Sequence, residues 1–365
     1  MYKNLAAVLR AAAGSAVVAA TCLTPLLAQP SASAPLKIGY VYVTPVTQAG
    51  WTRQHESARH AVDAAFGARV ATTAVENVPE GADAERVLRD LAQQGHRLIF
   101  TTSFGYARPV LKVAPEFPAV RFECLTCPEG AANVATANAR YYEGRYLAGI
   151  AAGRMSKTHV AGYVAGFPIP EVLQGINAFT LGMRSVDPRA QVKVVWLNEW
   201  FDPARERDAA LALIGQDADV LAFHTGSTAV MSAAEERGKL AIAYHSDMRA
   251  VAPQAQLLAV THHWDAYERR RVQALLEGRW QPGQLWGGVR EGMVRVGDFG
   301  PRVPTAVRDE VLARQRDIGA GRLQPFSGPL VDNAGQTRLA RGQQLSDAQV
   351  QGMNWLVEGV QGKLP

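Results

Sequence analysis

The feature that most constrains this chain is a regular alternation of short apolar runs with amphipathic stretches. Strand-like runs fall at 37–43 (KIGYVYV), 69–75, 97–102 (RLIFTT), 119–124, 133–138, 159–165 (HVAGYVA), 191–197 (QVKVVWL), 219–224 (DVLAFH), 240–244 and 256–261. Helical patterns occupy 52–66, 82–94, 105–115, 143–155, 170–186, 204–215, 228–237 and 264–277. Strands joined through helices make βαβ units, and these build parallel sheets with helices on both faces. In 82–94, Ala84, Val87, Leu88 and Leu91 recur at helical spacing and Gly95 follows as a stop. The run 97–102 is nearly all apolar, as a strand covered on both faces should be. About ten strands are too many for one compact open sheet, so an α/β chain of two lobes is expected. The polar residues 154–158 mark a candidate hinge, and the tail 298–365 is less regular, with helical stretches near 306–318 and 346–360.

The chain begins with a basic pair, Lys3 and Arg10, before an uncharged apolar stretch over 11–28. Small-residue sites follow at 26–28 and 32–34, the second disfavoured by Pro35. This pattern predicts a cleaved export signal over 1–34 and a periplasmic protein. The Ala-Ala-Thr before Cys22 is a poor match for lipid attachment there. Losing Lys3 and Arg10 takes the net charge from +5 to +3. Such a mild charge, with no basic block among aromatics, argues against nucleic acid as a partner. No later stretch approaches the ~20 uncharged apolar residues of a membrane span.

Cys124 and Cys127 form a C-x-x-C in ECLTCPEG. In an exported protein the first reading is a local disulfide, then free thiols, then redox chemistry. Pro128, Glu129 and Gly130 are unlike the helix start of a redox motif, and no second pair completes a zinc site.

Catalytic motifs are missing. There is no phosphate loop, GIAAGR (149–154) lies in a helical pattern, and the mature part has no G-x-S-x-G elbow. The stretch HESARH (55–60) looks like a zinc motif one residue too long. His55 and His60 are five residues apart, so on a helix they diverge by about 140°. They are expected on the solvated surface, on a helix capped by Thr52 whose inner stripe is Ala58, Ala61, Val62, Ala65 and Phe66. His262 and His263 are adjacent near a strand end and face opposite ways. No metal, cofactor or catalytic residue is expected.

What stands out is aromatic residues after strands: Trp51, Phe104 and Tyr106, Trp200 and Phe201, and Trp264. Polar residues share these loops, namely Ser103, Glu143, Thr225, Ser227 and Asp247. Ligands of open α/β sheets bind outside the carboxyl ends of the strands. Rings there suit a flat apolar ligand, and carboxylates beside them suit its N–H groups, which favours a nitrogen heterocycle.

The segments KIGYVYVTPVTQAGWTRQHESAR, DLAQQGHRLIFTTSFGYARPVLKVAPEFP, ANARYYEGRYLAGIAAGRMSKTHVAGYVAGFPIPEVLQGINAFTLGMRSVDP and WFDPARERDAALALIGQDADVLAFHTGST occur in this order. In them the chain resembles the basic membrane protein (BMP) family, the PnrA-like substrate-binding proteins of ABC importers, from about residue 36 to at least 300. The resemblance implies a type I periplasmic-binding fold with lobes at 35–156 plus 263–286 and 157–262 plus 287–365, and crossings near 155–158, 261–264 and 285–288. It implies a monomer that binds a purine and hands it to an ABC permease of the inner membrane. Carried over by position, it implies ligand contacts from Trp51, Phe104, Tyr106, Glu143, Trp200, Phe201 and Asp247, and Tyr142, Thr225 and Trp264 are further candidates from the reading of the chain itself. The family's nucleoside-binding pattern has Asp and Asn where this chain has Gln48 and Thr52, and often a Lys where this chain has His262-His263-Trp264. A free base, adenine first, is therefore expected ahead of a nucleoside. A purine-processing enzyme is disfavoured because the first strand carries no Asp. A ligand sensor for a membrane receptor is a further alternative.

Overall fold

The computed structural model describes residues 34–365. The export signal expected over 1–34, with Cys22 in it, lies outside the described residues save for Ala34. In chain order the elements are β1 (Leu36–Val41), α1 (Trp51–Phe66), β2 (Val70–Val75), α2 (Ala82–Gln93), β3 (Leu98–Thr101), α3 (Ala107–Val113), β4 (Arg121–Leu125), β5 (Val134–Ala139), α4 (Tyr141–Met155), β6 (Val160–Ala165), α5 (Pro170–Arg184), β7 (Gln191–Trp196), α6 (Pro203–Ile214), β8 (Val220–His224), α7 (Ala229–Glu236), β9 (Leu240–His245) and β10 (Gln256–His262). They continue with α8 (Asp265–Leu276), β11 (Gln284–Gly287), β12 (Val294–Gly297), α9 (Thr305–Gly319), β13 (Leu330–Val331), β14 (Thr337–Leu339), α10 (Asp347–Gln351) and β15 (Val360–Gln361).

Two sheets carry the core. The first has the order β11-β5-β4-β3-β1-β2 and the second β12-β10-β9-β8-β6-β7-β15. Every pairing is parallel except β10 with β12, as βαβ connections require. Central strands such as β3 and β8 are buried along their whole length, so they read as unbroken apolar runs rather than alternating ones. Around the first sheet, α1 packs with α8, and α2 with α3; around the second, α6 packs with α7, and α4 with α5.

The α4–α5 contact sets where the chain leaves the first sheet. Besides α5, α4 also packs against β10, β12 and α9, all elements of the second sheet or its cover. The crossing is therefore at Arg140, between β5 and α4, rather than at 155–158. Small residues cause this: a Cβ on Gly149 would strike the Phe179 carbonyl of α5, and one on Gly182 the Tyr146 carbonyl of α4. Glycine at both positions lets the two backbones touch.

Several local expectations differ from the structure. Helix α1 starts at Trp51 after Gly50, whose φ is 99°, and no side chain caps it. A Cβ on Gly50 would lie 2.5 Å from the Gly226 carbonyl, so the turn also needs glycine for space. Thr52 is buried with its hydroxyl 2.5 Å from that of Thr44 and is not the cap. His55 is not on the surface but fully buried, stacked on Trp264 at 5.0 Å, whereas His60 is exposed. Its partner across the core is Glu268 of α8, 3.5 Å away. The helix expected over 346–360 stops at Gln351. Beyond it Asn177 of α5 bonds the backbone of Trp355 and Val357, and this segment leads into β15. The short edge strands β11 and β12 have too few residues to show a pattern in sequence.

Candidate ligand-binding site

Strands of both sheets end around one cavity, where about 460 Å³ is free of protein atoms, open solvent included. Val43 and Thr44 follow β1, Trp51 opens α1, and Thr102, Ser103 and Phe104 follow β3, with Thr126 after β4. From the second sheet come Ile169 and Glu171 after β6, Trp200 after β7, His224, Thr225 and Gly226 at the end of β8, and His245 at the end of β9. All are at carboxyl ends of strands, where ligand crevices of open α/β sheets form. A more polar opening adjoins it, lined by Asn77, Glu80, Phe167, Glu199 and Phe201 and sharing Val43, Thr44 and Trp200.

The aromatic walls are braced from behind. Trp51 donates its indole N–H to the Thr102 carbonyl at 2.8 Å, and His55 meets it edge-on at 4.5 Å. On the other side Trp200 packs edge-on against Phe167 at 4.9 Å, and its buried indole nitrogen has no partner among the described residues. Ser103 hydrogen-bonds Glu80 at 2.5 Å, and Gly105 also donates to Glu80, which fixes the loop that carries Phe104.

Glu171 is the carboxylate among the lining residues. It accepts a hydrogen bond from Asn138 at 3.1 Å and lies 3.5 Å from the His224 ring nitrogen, with no Arg or Lys among the described residues bridged to it. Burial holds the His224 imidazole below its usual pKa against the pull of Glu171. Burial and the neighbouring imidazole push His245 well below as well, and His262 behind it follows for the same first cause, burial. His245 and His262 share a 3.0 Å contact between ring nitrogens, one donating and one accepting, as two neutral imidazoles can. At neutral pH the three imidazoles on this side of the cavity are thus uncharged. Thr225 and Ser227 both donate to the buried Glu206 of α6, whose carboxyl burial drives upward against those two bonds.

Of the residues singled out in the sequence, Trp51, Ser103, Phe104, Trp200 and Thr225 line the cavity, and Phe201 lines the opening. The others lie elsewhere. Tyr106 is core, its hydroxyl bonded to the Val78 carbonyl. Tyr142, at the start of α4, packs on Trp286 of β11 and on Phe326. Glu143 accepts from the Val289 N–H at 2.7 Å and pins the β11–β12 connection. Asp247 is paired with Arg249 and Gln256. Trp264 is buried one layer behind, against Trp51 at 6.2 Å.

Glu171, His224, His245, Thr102 and Thr126 were missed. Three of them have a signal in the sequence: a polar residue closing an apolar run, as in LIFTT, VLAFH and AIAYH. Cys124 and Cys127 are joined by a disulfide that encloses Leu125 and Thr126.

Residues 36–325 match the sequence model of the family described as ABC transporter substrate-binding protein PnrA-like. The chain is similar to a purine-binding protein of Brucella abortus, 46% identical over 330 residues that cover 90% of this chain and 94% of the relative. It is also similar to a protein of Haloferax volcanii named for glucose binding by an ABC transporter, 35% identical over 92% of this chain and 83% of that one. Among solved structures, an ABC transporter solute-binding protein of Aeropyrum pernix superposes with a TM-score of 0.68 at 20% identity, over 81% of this chain and 94% of the other.

Proposed function

The chain belongs to the PnrA-like family of ABC-transporter substrate-binding proteins, and from that premise we propose that it is a periplasmic receptor for a purine base, adenine first. The observation that carries the proposal is one cavity with an indole from each sheet's loops, Trp51 and Trp200, and a single carboxylate, Glu171, at its polar side. Indole faces suit a flat ring, and a carboxylate accepts from ring N–H and amino groups. The purine-binding relative from Brucella supports the same ligand class.

Two features favour a free base over a nucleoside. The positions where the family's nucleoside pattern has Asp and Asn are Gln48, which is exposed, and Thr52, which is buried against Thr44. His262 and Trp264 are buried and are not among the cavity's lining residues. A hexose, as the Haloferax name would suggest, carries hydroxyls all round its ring. Here Trp51, Phe104 and Trp200 take up much of the wall, and the Thr225 hydroxyl already donates to Glu206.

In the proposed mechanism, residues 35–139 with 265–287 form one lobe and 141–262 with 294–365 the other. A base enters between them, stacks on the indoles and is enclosed as the lobes close about Arg140, His263-Trp264 and 288–293. Closure follows from tighter binding to the closed state. The closed receptor, a monomer, then docks on an ABC permease. Calorimetric titration with adenine, guanine, hypoxanthine, adenosine and glucose tests this. Adenine is expected to bind most tightly. Adenosine binding without adenine would overturn the base preference, and glucose binding without any purine would overturn the ligand class.

A further inference from the structure

Thr126 sits in the four-residue loop Cys124-Leu125-Thr126-Cys127, closed by the disulfide between its ends. Its φ of 68° lies in the left-handed region, which β-branched residues rarely adopt and which glycine or asparagine would take with less strain. Its backbone N–H is anchored to the Ala137 carbonyl at 2.7 Å. The side chain is buried and lines the cavity, and its hydroxyl has no partner among the described residues. Cys127 Sγ lies 3.9 Å from the Ser103 carbonyl, so the closed loop abuts the loop that carries Phe104.

A buried hydroxyl without a partner is unfavourable, and so is a β-branched residue in this backbone region. Neither is explained by packing, because a glycine would relieve the second and a valine the first. Both make sense if the cavity's occupant completes the hydrogen bond. We propose that Thr126 is a specificity-determining residue whose hydroxyl pairs with the ring edge of the bound heterocycle, and that the Cys124–Cys127 disulfide is the device that positions it. A hydroxyl donates and accepts, so it can serve a ring nitrogen or an exocyclic amino group. This inference rests on the purine-base reading above.

The test is calorimetric titration of adenine into the full chain and its variants, with thermal melting of each ligand-free protein. Thr126→Val keeps the shape and removes the hydroxyl, and should weaken adenine binding about 10–100-fold. Thr126→Ser should restore affinity to within about threefold. Thr126→Gly should bind as weakly as the valine variant yet melt higher than wild type without ligand, because the φ strain is gone. Replacing both cysteines by alanine should weaken binding, with little further loss when Thr126→Val is added, since both act through one contact. Wild-type affinity in Thr126→Val overturns the role of the hydroxyl while leaving the purine reading intact. Additive losses, or no rise in melting for Thr126→Gly should the cysteine variant not fold, overturn the positioning role. If the wild-type protein binds no purine base, both readings fall together.

Discussion

The Trp51 indole nitrogen donates to the Thr102 carbonyl oxygen across 2.8 Å, tying the first residue of α1 to the end of β3. The bond fixes the ring in its own plane, and the edge contacts from His55 and His245 hold it from two sides. The indole that lines the cavity is therefore set before any ligand arrives, so little ordering remains to oppose binding.

Trp51→Ala removes this wall. Stacking of a base on an aromatic face is worth roughly 1–3 kcal/mol, so adenine affinity should fall about 10–100-fold. Trp51→Phe keeps a ring but loses the bond to Thr102, and should fall between wild type and the alanine variant. Calorimetry on the three proteins gives the order; an alanine variant that binds like wild type removes Trp51 from the site.

Glu171→Gln separates charge from shape. The glutamine oxygen can still accept from Asn138, so the free protein should melt within about 2 °C of wild type. Adenine affinity should drop about tenfold or more, because a charged acceptor is replaced by a neutral one and an amide N–H now faces the ligand's donors. Unchanged affinity would mean that the hydroxyls and imidazoles read the ring without the carboxylate.

Much of this fold is legible in the chain because buried parallel strands announce themselves as apolar runs. The same logic hides part of the site. Thr102, His224 and His245 close such runs, and a lone polar residue there reads as a strand end until the other sheet is placed opposite. Glu171 and Thr126 carry no periodic signal, since their positions depend on a helix start and on a disulfide. His55 shows the opposite failure. Helical periodicity puts it off the α1 stripe toward solvent, but α8 packs over that flank and buries it against Trp264 and Glu268. Tyr142 and Glu143 look like site residues only while α4 is assigned to the first sheet; the glycines of α4 and α5 move it to the second.

That helix contact makes a stability prediction. Gly182→Ala places a methyl against the Tyr146 carbonyl, which is helix backbone and cannot rotate away. Overpacking of this kind costs about 1–3 kcal/mol, and the melting temperature should fall by about 3–10 °C. A melting temperature equal to wild type would show that α4 and α5 have room to separate.

Glu143 gives a pH dependence with a definite sign. Burial raises its carboxyl from the usual 4.5 to about 7, opposed by the Val289 N–H and Arg140 and reinforced by Glu291. In the unfolded chain the group ionises near 4.5, so between that pH and about 7 the folded state holds the extra proton. The contribution to stability is thus full below about 4.5 and is lost as pH rises through 7, with an upper bound of roughly 3 kcal/mol. Glu143→Gln keeps an acceptor for Val289 and cannot ionise. Its melting temperature relative to wild type should therefore be higher at pH 8 than at pH 5, by about 2–8 °C. Other buried acids and imidazoles titrate alike in both proteins and cancel in this difference. A gap that is the same at both pH values would show that the Glu143 carboxyl is not held protonated in the folded chain.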